Sequence, residues 1–220
     1  MKKAVSGIML TLIILTSMLT LASNIQPVKA EGGTIYIRAD GTVDPSTAPI
    51  LNVGNVYYKF TADIYGSIVV ERGNIVVDGA NYNIQGTGSG TGILVSNVDN
   101  VTIKNVIIKN FDEGIRLWYS SNNKIMSNKF RNVKEGVYIK YSSNNIIAEN
   151  IVQNAKQEGF GIYVVFSTNN KITGNTIAGT SAGIALSQKG VNVDCSNHNV
   201  TGNYLLNNFQ GVFSGQITPS

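Results

Sequence analysis

From Gly92 onward the chain repeats a unit of about 22 residues, and that period constrains the fold before any other feature does. Glycines at Gly92, Gly114, Gly136, Gly161, Gly183 and Gly211 open successive units, spaced 22, 22, 25, 22 and 28 residues apart. A fixed unit has therefore absorbed two small insertions. Each unit carries three short apolar runs separated by polar corners. The first follows the glycine, as in Gly114-Ile115-Arg116-Leu117 and Gly136-Val137-Tyr138-Ile139. The second centres on Ile103, Ile125, Ile147, Ile172 and Val200, and the third on Ile108, Phe130, Val152, Ile177 and Leu205. Alternation with period two marks strands with one buried face. Such short runs cannot sustain helices, and no 3.6-residue stripe appears in the repeats. Three strands and three corners per unit predict an all-β fold: a single-stranded, right-handed parallel β-helix of about six to seven turns.

Two files of asparagine run through the corners. Asn100, Asn122, Asn144, Asn169 and Asn197 form the first; Asn128, Asn150, Asn175 and Asn203 form the second, where the first copy has Val106. Equivalent residues of stacked turns lie about 4.8 Å apart, so side-chain amides can donate to and accept from the copies above and below. Both files are expected to be internal ladders. Asparagine also tolerates the left-handed backbone of a sharp corner, and the repeat glycine is expected to serve that purpose at the third corner.

The ends depart from the period. Residues 1–30 combine Lys2 and Lys3, an apolar stretch from Ile8 to Ala22, and a small-x-small site at Val28-Lys29-Ala30. This reads as a signal peptide cleaved after Ala30, hence an extracellular or cell-surface protein; retention of the leader would give its only contact with a membrane. The formal charge of +4 includes Lys2, Lys3 and Lys29, which leaves +1 for residues 31–220. So neutral a chain without a basic cluster gives no electrostatic case for nucleic acid. Cys195 is the single cysteine, so no internal disulfide can form. Residues 31–60 are expected to cap the array, residues 61–215 to form the repeats and 216–220 a tail. The C-terminal end shows no matching cap, so a partner or a further segment is expected to cover it.

With these features in hand, the chain resembles right-handed parallel β-helix proteins of bacterial and archaeal surfaces. It is most similar to the NosD-like group and to the wider carbohydrate-binding and sugar-hydrolase β-helix domains. The resemblance is carried by Ser120-Ser121-Asn122-Asn123-Lys124-Ile125-Met126-Ser127-Asn128 and by Ser167-Thr168-Asn169-Asn170-Lys171-Ile172-Thr173-Gly174-Asn175. The opening Gly33-Thr34-Ile35-Tyr36-Ile37-Arg38-Ala39-Asp40-Gly41 looks like the start of archaeal secreted members. The resemblance implies a polysaccharide or cell-surface glycan as partner, an enzyme acting on acidic glycans (lyase, hydrolase or epimerase), or a copper-accessory role. One fold hosts many chemistries, so the residues must choose.

Enzymes of this kind cluster carboxylates. Glu113 and Glu135 occupy the same position in adjacent units, beside Asp112 and with Glu158 in an insertion. Stacked, they could share a proton or hold calcium; the plainer reading is solvated glutamates next to Lys134 and Lys156. Copper wants clustered His, Met or Cys. Cys195 and His198 share one corner without a third ligand, and by register they replace a corner serine and a member of the Asn123, Asn145, Asn170 column. A larger feature is the outward file of the first strand: Arg116, Trp118, Tyr138, Lys140 and Tyr163. Aromatics interleaved with cations can stack on sugars and bond their hydroxyls; the structural alternative is cross-strand pairing. The sequence thus favours an exported scaffold that binds carbohydrate over one that catalyses.

Overall fold

The structure, a computed structural model, describes residues 32–153, 159–187 and 195–215. The chain divides into Met1–Ala30 and Glu31–Ser220, and the leader, Glu158 and the tail lie outside the described residues. Among the described residues every regular element is a strand, and these strands form two sheets of thirteen and eight members. Pairing from turn to turn is parallel and in register. Ile103, Ile125, Ile147, Ile172 and Val200 follow one another in one column, and Ile108, Phe130, Val152, Ile177 and Leu205 in another. Ile115, Val137, Ile162, Ile184 and Val212 make the third. The chain is a parallel β-solenoid, and its interior is these columns, almost wholly shielded from water until the last turn.

The N-terminal end is closed by antiparallel pairs, which the repeats lack. Strand Gly33–Ile37 pairs parallel with Ile64–Val70 and antiparallel with Val43–Asp44. Ile50–Val53 turns back on Tyr57–Phe60, which joins the solenoid at Ile75–Asp78. Tyr58 and Phe60 seal the core, and the buried Tyr58 hydroxyl donates to the Gly41 carbonyl at 2.8 Å. At the other end Tyr204, Phe209 and Val212 stand exposed on the last described turn.

The second asparagine file is the expected internal ladder. Asn128 N donates to Asn150 Oδ1 at 3.0 Å, Asn150 N to Asn175 Oδ1 at 2.9 Å and Asn175 N to Asn203 Oδ1 at 2.9 Å. Their Nδ2 groups donate to the carbonyls of Ile103, Ile125, Ile147 and Ile172 at 2.8–3.0 Å. Val106 needs no amide because it begins the ladder: its own N–H donates to Asn128 Oδ1 at 3.0 Å.

The first file is corrected by one residue. Asn100, Asn122, Asn144, Asn169 and Asn197 are exposed, with φ between 56° and 59°. They serve the left-handed bend, where asparagine is tolerated. The buried ladder runs through the following residues. Val101 N donates to Asn123 Oδ1, Asn123 N to Asn145 Oδ1 and Asn145 N to Asn170 Oδ1, each at 2.8 Å. A left-handed residue turns its neighbour's side chain inward, so the bend and the ladder cannot be the same residue.

The repeat glycine is corrected as well. None of Gly92, Gly114, Gly136, Gly161 or Gly183 has a positive φ; Asn110 (φ 59°) and Asn132 (φ 52°) carry that bend instead. The glycines are required by space. A Cβ on Gly136 would lie 2.5 Å from the Gly161 carbonyl oxygen, and one on Gly114 would lie 2.4 Å from the Phe130 ring. Through these bends the strands Ile107–Trp118 and Lys129–Lys140 run continuously across a corner.

Candidate carbohydrate-binding surface

The outward file lies on strands Ile107–Trp118, Lys129–Lys140 and Phe160–Val165. Arg116, Tyr138 and Tyr163 are register neighbours in successive turns, and Trp118, Lys140 and Val165 are the next such row. All five predicted residues are therefore brought together on one face, each half-buried. The Tyr138 and Tyr163 rings stack at 5.2 Å with an 11° interplanar angle. Arg116 stands 4.1 Å from the centre of the Trp118 ring and 5.2 Å from that of Tyr138. Burial raises the Tyr138 phenol to about 12, with Tyr163 adding to the rise and Arg116 opposing it. Burial also raises Tyr163. Both phenols are thus neutral hydroxyls at physiological pH, able to donate and accept.

A second file, whose facing the sequence leaves open, completes the surface. Tyr119, Tyr141 and Phe166 turn outward at the corner and stack on one another at 4.7 and 5.2 Å. Their φ values are 48°, 50° and 51°, the left-handed region that bulky side chains avoid. Each costs on the order of 1 kcal/mol relative to asparagine or glycine, and the equivalent earlier corner does use Asn97 (φ 57°). Trp118 stands across this stack at 69° to Tyr119 and 83° to Tyr141. Stacking has a chemical consequence. Tyr141 is covered on both ring faces, so it offers solvent its edge and hydroxyl. The outer face of the exposed Tyr119 remains for a ligand, beside the half-buried Trp118.

The two cations differ. Arg116 is held by Glu113, with Nη1 at 3.1 Å from Oε1, while the Thr91 hydroxyl donates to Glu113 Oε2 at 2.7 Å. Lys140 Nζ lies 4.8 Å from the Trp118 ring centre, 5.3 Å from Tyr141 and 6.0 Å from Phe166. No carboxylate pairs with Lys140 among the described residues.

The other candidates lie elsewhere. Glu113 and Glu135 are register neighbours, as expected, each just before the repeat glycine in the middle of its strand. Asp112 is drawn aside to accept from Gly90 N at 3.1 Å. Among the described residues no three His, Cys, Asp or Glu side chains converge on a metal position.

Cys195 and His198 do meet, with Sγ 3.4 Å from Nε2. The other ring nitrogen ends the buried ladder: Asn170 N donates to His198 Nδ1 at 3.2 Å. Nδ1 therefore carries no hydrogen, and the neutral ring's hydrogen sits on Nε2, facing sulfur. A metal-bound imidazole ordinarily donates through its free nitrogen. Placing a metal on Nε2 would set an Nδ1 hydrogen against the Asn170 N–H, so this pair does not fit copper. His198→Asn, which continues the column in its own residue type, is expected to change the unfolding free energy by less than about 0.5 kcal/mol. Cu(I) titration should give the same stoichiometry before and after; a one-to-one site lost on substitution would contradict this geometry.

The sequence missed two features. The stacking order could not be read because it depends on side-chain rotation. The left-handed aromatics carried a signal: Tyr119, Tyr141 and Phe166 occupy the column of Asn97. In comparisons with known proteins, the family model described as "Periplasmic copper-binding protein (NosD)" matches residues 48–217. No curated protein matches the chain.

Proposed function

We propose, from the premise that this chain belongs to the NosD family of periplasmic copper-binding proteins, that it works as an exported β-solenoid that binds carbohydrate at the cell surface. The observation that supports this reading is the outward surface of Trp118, Tyr138, Tyr163, Arg116 and Lys140. It combines ring area, neutral phenol donors and cations on a rigid sheet, which is the chemistry a polyhydroxylated ring requires. Three further aromatics are held beside it against backbone preference. Residues in such conformations concentrate at functional sites because the surrounding structure over-determines them. The periplasmic description of the family fits an exported chain with an N-terminal leader. The copper in that description finds no complete donor set among the described residues, so no step is assigned to it.

Trp118 is the residue to remove. It faces outward, and its loss leaves the buried Leu117 and Ile139 columns in place. On a glycan array the intact protein is expected to bind a subset of polysaccharides, and Trp118→Ala to weaken that binding about tenfold or more with an unchanged melting temperature. An intact protein that binds no arrayed glycan would overturn the proposal.

A further inference from the structure

The geometry points to a specificity: Lys140 directs this surface to anionic sugars, those carrying a uronate carboxylate, in preference to neutral ones. The inference rests on the carbohydrate-binding reading above and names its ligand class. Arg116 cannot supply the selectivity, because its charge is answered by Glu113 at 3.1 Å and that carboxylate is fixed by Thr91. Lys140 is different. Its ammonium sits within 4.8–6.0 Å of three ring centres, which orient it through their quadrupoles without neutralising it. Its row across the turns is Ser96, Trp118, Val165 and Ser187, with no acidic residue. Glu113 and Glu135 lie five residues before Trp118 and Lys140 in their strands, and the Glu113 carboxylate is taken up by Arg116.

An ammonium flanked by apolar rings is less screened than one in open water, so an anion seated there gains more than at an ordinary surface lysine. A bare inorganic anion would use only the charge. A sugar acid would also use the Trp118 ring and the phenols of Tyr119 and Tyr141, whose register places them next to it. Carboxylate and ring contacts together define a pyranose bearing one negative group, repeated along a polymer.

The test compares a galacturonic-acid oligomer with its full methyl ester, the same backbone without charge, by calorimetric titration of the intact protein. Inorganic sulfate at equal charge concentration is the third arm. The acid is expected to bind about tenfold tighter than the ester, a difference that shrinks as salt is raised. Lys140→Met should abolish the preference for acid over ester together with its salt dependence, while Lys140→Arg keeps both. Equal binding of acid and ester by the intact protein would overturn the inference and leave carbohydrate binding standing. Sulfate binding as tightly as the oligomer, dependent on Lys140, would reduce the site to an anion site and also overturn it. Binding of neither oligomer by the intact protein, with other glycans bound on the array, would overturn the inference alone; no binding to any glycan removes both readings.

Discussion

Asn150→Leu is expected to lower the free energy of unfolding by about 4 kcal/mol or more, although leucine has the same branched shape as asparagine. The side chain at this position is fully buried and serves two neighbouring turns. Its Oδ1 accepts from both Asn128 N (3.0 Å) and Asn128 Nδ2 (3.1 Å), and its Nδ2 donates to the Ile125 carbonyl (2.8 Å). Leucine leaves the Asn128 N–H without its acceptor, Asn128 Nδ2 with the Ile103 carbonyl alone, and the Ile125 carbonyl without that donor. Each orphaned group costs about 1–3 kcal/mol, because water cannot reach it. The contrasting substitution is Asn122→Gly, in the exposed file. There the side chain serves a φ of 59° that glycine adopts freely, so the change should stay within about 0.5 kcal/mol. Urea unfolding of the two variants gives the comparison directly, read from the midpoint at constant slope. Equal losses would mean that the buried ladder is not where the corner energy resides.

Phe130→Ala should cost a similar amount, about 3–5 kcal/mol, by removing one of the largest fully buried side chains from the solenoid interior. The site cannot collapse readily. Phe130 is stacked between Ile108 and Val152 in register, and its ring fills the place that a Cβ on Gly114 would take, 2.4 Å away. The strands on either side are fixed at their hydrogen-bonded spacing, so the cavity persists. Gly114→Ala alone should also destabilise, since its Cβ meets both this ring and the Gly136 carbonyl at 2.6 Å. Combined with Phe130→Ala, part of that clash is relieved. A double-mutant cycle should therefore show coupling of about 1 kcal/mol or more between the two positions. Strict additivity would show that the ring does not occupy the space left by the missing Cβ.

These two residues illustrate what was legible. A 22-residue period, three apolar columns and asparagine at fixed places were enough for the solenoid, because each strand buries alternate residues and each turn repeats its neighbour. The second ladder followed from the same register. The first was misplaced by one residue: a column of asparagines looks identical whether the amide points inward or only relieves a bend. The glycine column was located correctly but explained wrongly, since a missing side chain serves a left-handed bend or a close approach equally well in a sequence.

The outward surface was legible in its members but not in its chemistry. Alternation puts Arg116, Trp118, Tyr138, Lys140 and Tyr163 on one face. It does not pair Glu113 with Arg116, since an odd spacing in a regular strand points to opposite faces. Two consecutive residues, Gly114 and Ile115, are buried, which resets the alternation. That brings the glutamate onto the arginine and leaves Lys140, among the described residues, as the cation of this surface without a carboxylate.

The sequence by itself determined the repeat, the strand columns, the atypical N-terminal cap and the outward row, because all of these follow from local periodicity in a chain whose turns copy one another. The tertiary structure alone decided which amides are buried, that the glycines make room for the neighbouring turn, and that Tyr119, Tyr141 and Phe166 join Trp118 and Lys140 on one surface. Those depend on backbone angles at the corners and on side chains meeting across a 22- to 28-residue gap, distances at which local pattern carries no information.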